Sequence, residues 1–302
     1  VLPAAYPNHP TTPSAYPKLY GDIYGGSAFG NVNTSNSNTT IVNILDGHLY
    51  TVPETHPIPG TSLSYTEYHG GNVYGGCLGQ KANVNGPTDI FAKVFGKVTV
   101  NVGALDDTRT LDPANDTLFG NAIIEGNVYG CNNTNGSPQD DVTVNICRTY
   151  RSSTDQFNYE STSSDPATYA IPNVFGGGNE ADYMLQGKTL TVHIYNCFNT
   201  VRRVFGGGNA ASGPNATQRL RIGRFKEVFG GGNGERGQAY AADVTGNVNL
   251  EIHGGYVDEF FVGSNQFGTI TGTAIVAVDQ NSGCEEIEIN EIEIGRASCR
   301  ER

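Results

Sequence analysis

Apolar and polar residues alternate with period two in several separate stretches of this chain. Val98-Thr-Val-Asn-Val102, Val142-Thr-Val-Asn-Ile146, Leu190-Thr-Val-His-Ile194 and Val248-Asn-Leu-Glu-Ile252 alternate strictly, and Thr40-Ile-Val-Asn-Ile44 is a looser copy. Alternation of this kind marks a β-strand with one buried face. It predicts Val142, Val144 and Ile146 inward and Thr143 and Asn145 outward. A second motif recurs between these strands. Val174–Asn179, Val204–Asn209 and Val228–Asn233 all read VFGGGN, with degenerate copies starting at Ile23, Val73, Val128 and, with slippage, Phe260. The anchoring aromatics are Tyr24, Tyr74, Tyr129, Phe175, Phe205, Phe229 and Phe261, at successive spacings of 50, 55, 46, 30, 24 and 32 residues. A motif repeated this often makes the chain an array of similar units, the shorter ones bare and the longer ones carrying insertions.

Neither strand of a unit buries its apolar face alone, but stacking units in register sets Val on Val and Ile on Ile. The predicted fold class is all-β, a β-solenoid and most simply a parallel β-helix with inserted loops. A propeller needs four strands per blade, and a 24-residue unit leaves little room for them. No stretch has helical periodicity, and Gly 40 with Pro 14 argues against long helices. Asn179, Asn209 and Asn233 share one position, with Asn133 and Asn265 as weaker equivalents. Their amides are expected to hydrogen-bond along the stack, as in other Asn ladders. Gly176–Gly178 are expected both to allow positive φ and to let neighbouring backbones approach closely.

The solenoid is expected over residues 22–293. Residues 1–21 are rich in proline and read as a linker or N-terminal cap. Residues 294–302 fit neither repeat and look like the translation of a short-read sequencing adapter, which would make the chain an environmental gene fragment. Its formal charge of −12 and sparse basic residues argue against a nucleic-acid partner, and no apolar run is long enough to span a membrane. Self-association through the solenoid ends is the expected hazard of such an array. Cys77 and Cys131 follow neighbouring anchors, while Cys147 and Cys197 follow neighbouring alternating strands. Inter-coil disulfides are one reading; small buried residues in a ladder are the simpler one. There is no C-x-x-C and the histidines are scattered, so no metal site and no cofactor are expected.

Three insertions follow the strands ending at Ile44, Val102 and Ile146, and are expected to emerge side by side from one topological point. Insertions on one face of a repeat protein often form its binding surface. These supply Tyr50, Tyr65 and Tyr68, then Asp106, Asp107, Arg109 and Asp112, then Tyr150, Arg151, Tyr159 and Tyr169. Tyrosine rings with nearby Asp and Arg suit stacking on sugars and hydrogen bonding to hydroxyls. An enzyme is the less expected reading. Glycosidase chemistry needs two carboxylates about 5–10 Å apart, and Asp106, Asp107, Asp140 and Asp141 are the acidic doublets. Neighbouring residues on a strand point to opposite faces, so neither doublet is an obvious pair. In the outward ladder Asn43, Asn101, Asn145, His193 and Glu251, the neighbours His193 and Glu251 are the most chemical.

VFGGGN followed by an alternating strand resembles the large glycine- and asparagine-rich repeat proteins of gut-type anaerobic bacteria. The resemblance covers roughly residues 22–293. It implies a secreted or surface-attached solenoid with an export signal and an anchoring module, but no catalytic residues. The expected function is an extracellular adhesin or stalk that presents loops to glycans or cell surfaces. A carbohydrate-active β-helix enzyme and a purely structural fibre subunit are the alternatives.

Overall fold

The computed structural model describes residues 17–83, 86–104, 120–149, 169–195, 199–220, 224–235, 241–279 and 287–293. All regular structure among them is β. The chain opens with β1 (Lys18–Tyr20), β2 (Ile23–Tyr24), β3 (Thr39–Ile44) and β4 (His48–Tyr50), then β5 (Val52–Pro57) and β6 (Ser64–His69). Next come β7 (Val73–Tyr74), β8 (Lys93–Val94), β9 (Lys97–Val102) and β10 (Ile123–Ile124), followed by β11 (Asn127–Tyr129), β12 (Ser137–Pro138) and β13 (Val142–Ile146). Thereafter the two repeat strands simply alternate: β14 (Ile171–Phe175), β15 (Thr189–Ile194), β16 (Thr200–Phe205), β17 (Asn215–Leu220), β18 (Arg224–Phe229), β19 (Val248–Ile252), β20 (Tyr256–Phe261), β21 (Ala274–Val278) and β22 (Glu288–Glu293).

The chain is a parallel β-helix. The aromatic strands form one 8-stranded sheet, β2-β7-β11-β14-β16-β18-β20-β22, and the alternating strands a 7-stranded sheet, β3-β9-β13-β15-β17-β19-β21. Every pairing within both is parallel and joins equivalent positions of successive coils: Val98, Val142 and Leu190 lie in one row, and Val102, Ile146 and Ile194 in another. Val102, Ile146 and Ile194 are buried with Val73, Val128, Val174, Val204 and Val228 of the facing sheet in one core, and Val98, Val142 and Leu190 are buried in a second cluster with Ala92, Val94 and Tyr183. A third, short parallel sheet, β1-β4-β10, closes the side between the alternating strand and the aromatic strand. The Gly-Asn turns and the pair β8–β12 close the other side.

The motif aromatics form a stack separate from this core. Ring centroids lie 4.8 Å apart for Tyr24–Tyr74, 4.9 Å for Tyr74–Tyr129, 4.9 Å for Tyr129–Phe175, 4.5 Å for Phe175–Phe205, 5.0 Å for Phe205–Phe229 and 5.0 Å for Phe229–Phe261, all stacked in nearly parallel planes. The predicted amide ladder runs beside it. Asn179, Asn209, Asn233 and Asn265 each donate Nδ2 to the Oδ1 of the preceding member, starting from Asn133, over 2.7–2.9 Å. Asn133 in turn donates to the Tyr24 hydroxyl at 2.8 Å.

The motif glycines serve close approach and not positive φ, which none of Gly176–Gly178 adopts. A Cβ on Gly176 would meet the carbonyl oxygen of Gly206, one on Gly206 that of Gly230, and one on Gly130 that of Gly176, all under 3.0 Å. The first glycine is therefore excluded from substitution by its own copy in the next coil. Cys77, Cys131 and Cys147 are buried free thiols, so Cys77 and Cys131 do not pair. Burial pushes all three thiols up, that of Cys147 to about 12. Cys197 and residues 294–302 lie outside the described residues, and β1 carries residues 18–20 of the Pro-rich start into the third sheet.

Two outcomes follow from this packing. Gly206→Ala is expected to destabilise the rod by about 1–3 kcal/mol through overpacking, measurable as a fall in thermal midpoint. The second concerns alkali. Burial is the main cause that raises the Tyr24 hydroxyl to about 12 and pushes those of Tyr74 and Tyr129 well above the ordinary value of 10.0. Because the folded values are raised, their stabilisation is complete below pH 10 and is lost as pH rises through them. Hydrogen exchange above about pH 10 should therefore accelerate first in the tyrosine coils, before those anchored by Phe205 and Phe229.

Candidate functional site

Two surfaces carry chemistry, on opposite sides of the coil. The first is the side of the insertions. The three leave this side but not one common point. Hairpin β5–β6 follows β4, residues 105–119 fall between β9 and β10, and residues 150–168 fall after Thr149, which bridges Ala122. Asp106, Asp107, Arg109, Asp112, Tyr150, Arg151 and Tyr159 lie outside the described residues, and Tyr169 is the first described residue after the third insertion.

Tyr50 is held in the third sheet, stacked on Tyr20 at 5.1 Å and on the His48 ring at 3.6 Å. His48 Nε2 lies 2.8 Å from Glu125, whose other oxygen accepts from the Thr51 amide at 2.9 Å. Tyr50 thus belongs to a structural cluster that joins two coils. Beyond it, β5 and β6 pair only with each other, antiparallel, with Glu54 opposite Glu67, His56 opposite Tyr65 and Val52 opposite His69. Period two sets Glu54, His56, Tyr65, Glu67 and His69 on one face, and Pro53, Thr55, Thr66 and Tyr68 on the other. Tyr65 and Tyr68 therefore do not form one platform.

The histidines, expected to be scattered, meet in the hairpin: it brings His56 and His69 together beside Glu54 and Glu67. Single ligand atoms of Glu54, His56 and His69 lie within 4.8 Å of one another. His56 Nε2 stands 4.0 Å from Glu54 and 3.6 Å from Glu67, and His69 Nε2 stands 3.5 Å and 3.7 Å from the same two carboxylates. These side chains could hold a metal ion. The overlooked signal is the triplet Glu-x-His, which occurs twice, at Glu54–His56 and Glu67–His69, around the turn residues Pro59-Gly60. The antiparallel register, invisible in the linear chain, folds one triplet over the other.

The second surface is an open groove of about 400 Å³ on the side of the Gly-Asn turns. Its lining comes from the turns of successive coils: Lys81 and Phe91, then Asn135 and Ser137, then Glu180 and Asp182, then Ser212 and Ala241. It therefore runs across the coils, along the rod. Phe91 is 63% exposed, a large ring among polar and small apolar lining residues. Lys81 reaches Glu180 across coils at 3.2 Å, and Asp182 accepts from the Ser212 amide at 2.7 Å. Phe91 was not legible as a site residue, because only coil stacking brings Lys81 beside Glu180.

The candidate catalytic pair is taken apart by the register. β17 enters the alternating sheet between β15 and β19, so His193 faces Arg219 and Arg219 faces Glu251. The strand escapes the sequence pattern because its central inward residue is the fully buried Gln218, whose Nε2 donates to the Phe229 carbonyl. Glu251 is taken by Arg219 Nε at 2.9 Å, and His193 Nδ1 by the Tyr195 hydroxyl at 2.7 Å. The doublet Asp140/Asp141 is structural as well. Asp140 Oδ1 takes the Lys188 ammonium at 2.6 Å and Asp141 Oδ1 accepts the Thr189 amide at 3.0 Å. No protein-family model, curated protein or solved structure matches the chain.

The Asp140–Lys188 pair has a measurable signature. The hydrogen bond from Lys188 is the main cause that lowers the Asp140 carboxyl below its ordinary value of 3.8. A depressed folded value stabilises the rod above that ordinary value, and this contribution is lost as pH falls through the folded value. Lys188→Met should be less stable than the parent in urea at about pH 6, and the two should converge at about pH 2–3. A gap that stays constant with pH would mean the lysine acts through packing alone.

Proposed function

We propose that this chain is the rod of a secreted or cell-surface β-solenoid protein, a stalk or adhesin of the glycine- and asparagine-rich bacterial type that binds glycans or cell-surface groups. The observation that carries the reading is the groove along the rod axis, with the exposed Phe91 ring among Lys81, Asn135, Ser137, Glu180 and Asp182. An extended polymer fits a trough built from successive turns. Aromatic rings stack on sugar faces, and planar amides and carboxylates take their hydroxyls. The hairpin β5–β6, standing off the other side, adds a second displayed element.

The second reading is a carbohydrate-active enzyme, a polysaccharide lyase or glycoside hydrolase. Glu180 and Asp182 beside Lys81 in the same groove favour it. Release of reducing ends or of unsaturated products from a panel of polysaccharides decides between the two.

Glycan-array and cell-binding measurements with the intact chain test the proposal. Phe91→Ala is expected to weaken binding about three- to tenfold, the worth of one aromatic contact of about 0.5–1.5 kcal/mol, with the thermal midpoint unchanged. Absence of binding to any glycan or cell surface, or binding indifferent to Phe91, would remove the reading.

A further inference from the structure

We propose that the hairpin β5–β6 is a transition-metal site, in which Glu54, His56 and His69 take one Zn²⁺ ion and Glu67 stands beside both imidazoles. The inference stands on the hairpin alone and does not depend on what the groove binds.

Three observations point the same way. The first is the donor set and its geometry. Two imidazoles with carboxylates suit Zn²⁺, whereas Ca²⁺ and Mg²⁺ take oxygen ligands only. Metal–ligand bonds of about 2.1 Å in a tetrahedron set ligand atoms about 3.4 Å apart. Here His69 Nε2 lies 3.5 Å from Glu54 Oε2, His56 Nε2 lies 4.0 Å from Glu54 Oε1, and His69 and His56 lie 3.7 and 3.6 Å from Glu67 Oε2. Small rotations of exposed side chains close that difference.

The second is an electrostatic misfit that a cation would remove. Glu54 and Glu67 are directly opposite in an antiparallel pair, where like charges repel. Among the described residues neither carboxylate has a Lys or Arg partner; both face only His56 and His69. His56 Nε2 is shielded from solvent and makes no hydrogen bond, although two carboxylates stand around it. That nitrogen is aimed into the cluster with nothing bonded to its lone pair or proton.

The third is the hairpin's lack of a core. Its residues are exposed on both strands apart from the half-buried His56, and it pairs with no other strand. Isolated two-stranded hairpins are marginal in water. An ion held by Glu54 and His56 of β5 and His69 of β6 would cross-link the two strands and stiffen the hairpin, since metal binding free energy becomes folding free energy.

The experiment is a calorimetric titration of the intact chain with Zn²⁺, paired with Co²⁺ absorption and hydrogen exchange of the hairpin amides. One Zn²⁺ per chain is expected, with visible Co²⁺ bands of a tetrahedral site and slowed exchange in residues 52–69 only. His56→Ala and His69→Ala should each weaken Zn²⁺ binding at least about tenfold, and Glu54→Gln with Glu67→Gln likewise. The rod's thermal midpoint should not move in any variant, because the hairpin lies outside the core, and this separates loss of ligands from loss of fold. Zn²⁺ binding that is absent, that survives both histidine variants unchanged, or that Ca²⁺ displaces equally well would overturn the proposal.

Discussion

The structure depends on translation of each residue onto its own copy in the next coil. Parallel strands pair at about 4.8 Å, and the aromatic rings repeat at 4.5–5.0 Å. The two spacings coincide, so a ring that stacks on its copy satisfies ring contact and backbone hydrogen bonding together. Asparagine obeys the same condition, because an amide carries both a donor and an acceptor and can pass the bond along the axis. A carboxylate or ammonium at such a position would face a copy of its own charge. The repeat is therefore written in Val, Ile, Phe, Tyr, Gly and Asn.

Glycine enters through the same constraint. The first motif glycine faces the carbonyl oxygen of its equivalent in the next coil in copy after copy, and a side chain has nowhere to go. Close backbone approach, rather than an unusual φ, fills this role. The result is a rod with separate apolar and aromatic columns, each held by contacts between neighbouring coils. Stability then grows by addition of nearest-neighbour terms along the rod.

Chemistry sits where translation breaks or is decorated. The third sheet gathers Tyr20, Tyr50, His48 and Glu125 into a strut, and the hairpin beyond it escapes the stacking rule altogether. There Glu54 lies opposite Glu67 and both face two histidines. The turn side keeps the backbone repeat but varies its side chains, so residues remote in sequence, such as Lys81 and Glu180, line one groove.

Much of the fold was legible in the sequence by itself. Period-two alternation, the VFGGGN copies and the position of Asn133 and Asn265 determined the two strands of each coil, the aromatic stack and the amide ladder, because a stacked array repeats its contacts at its sequence period. What breaks the period was hidden. The strand Asn215–Leu220 carries a buried Gln218 where its neighbours carry Val, and it inserts Arg219 between His193 and Glu251. The Glu-x-His triplets were visible as letters but not as a cluster. Only the antiparallel register and the stacking of turns bring Glu54 to Glu67 and Lys81 to Glu180, since those contacts join positions related by geometry across the coil and not by any repeat along the chain.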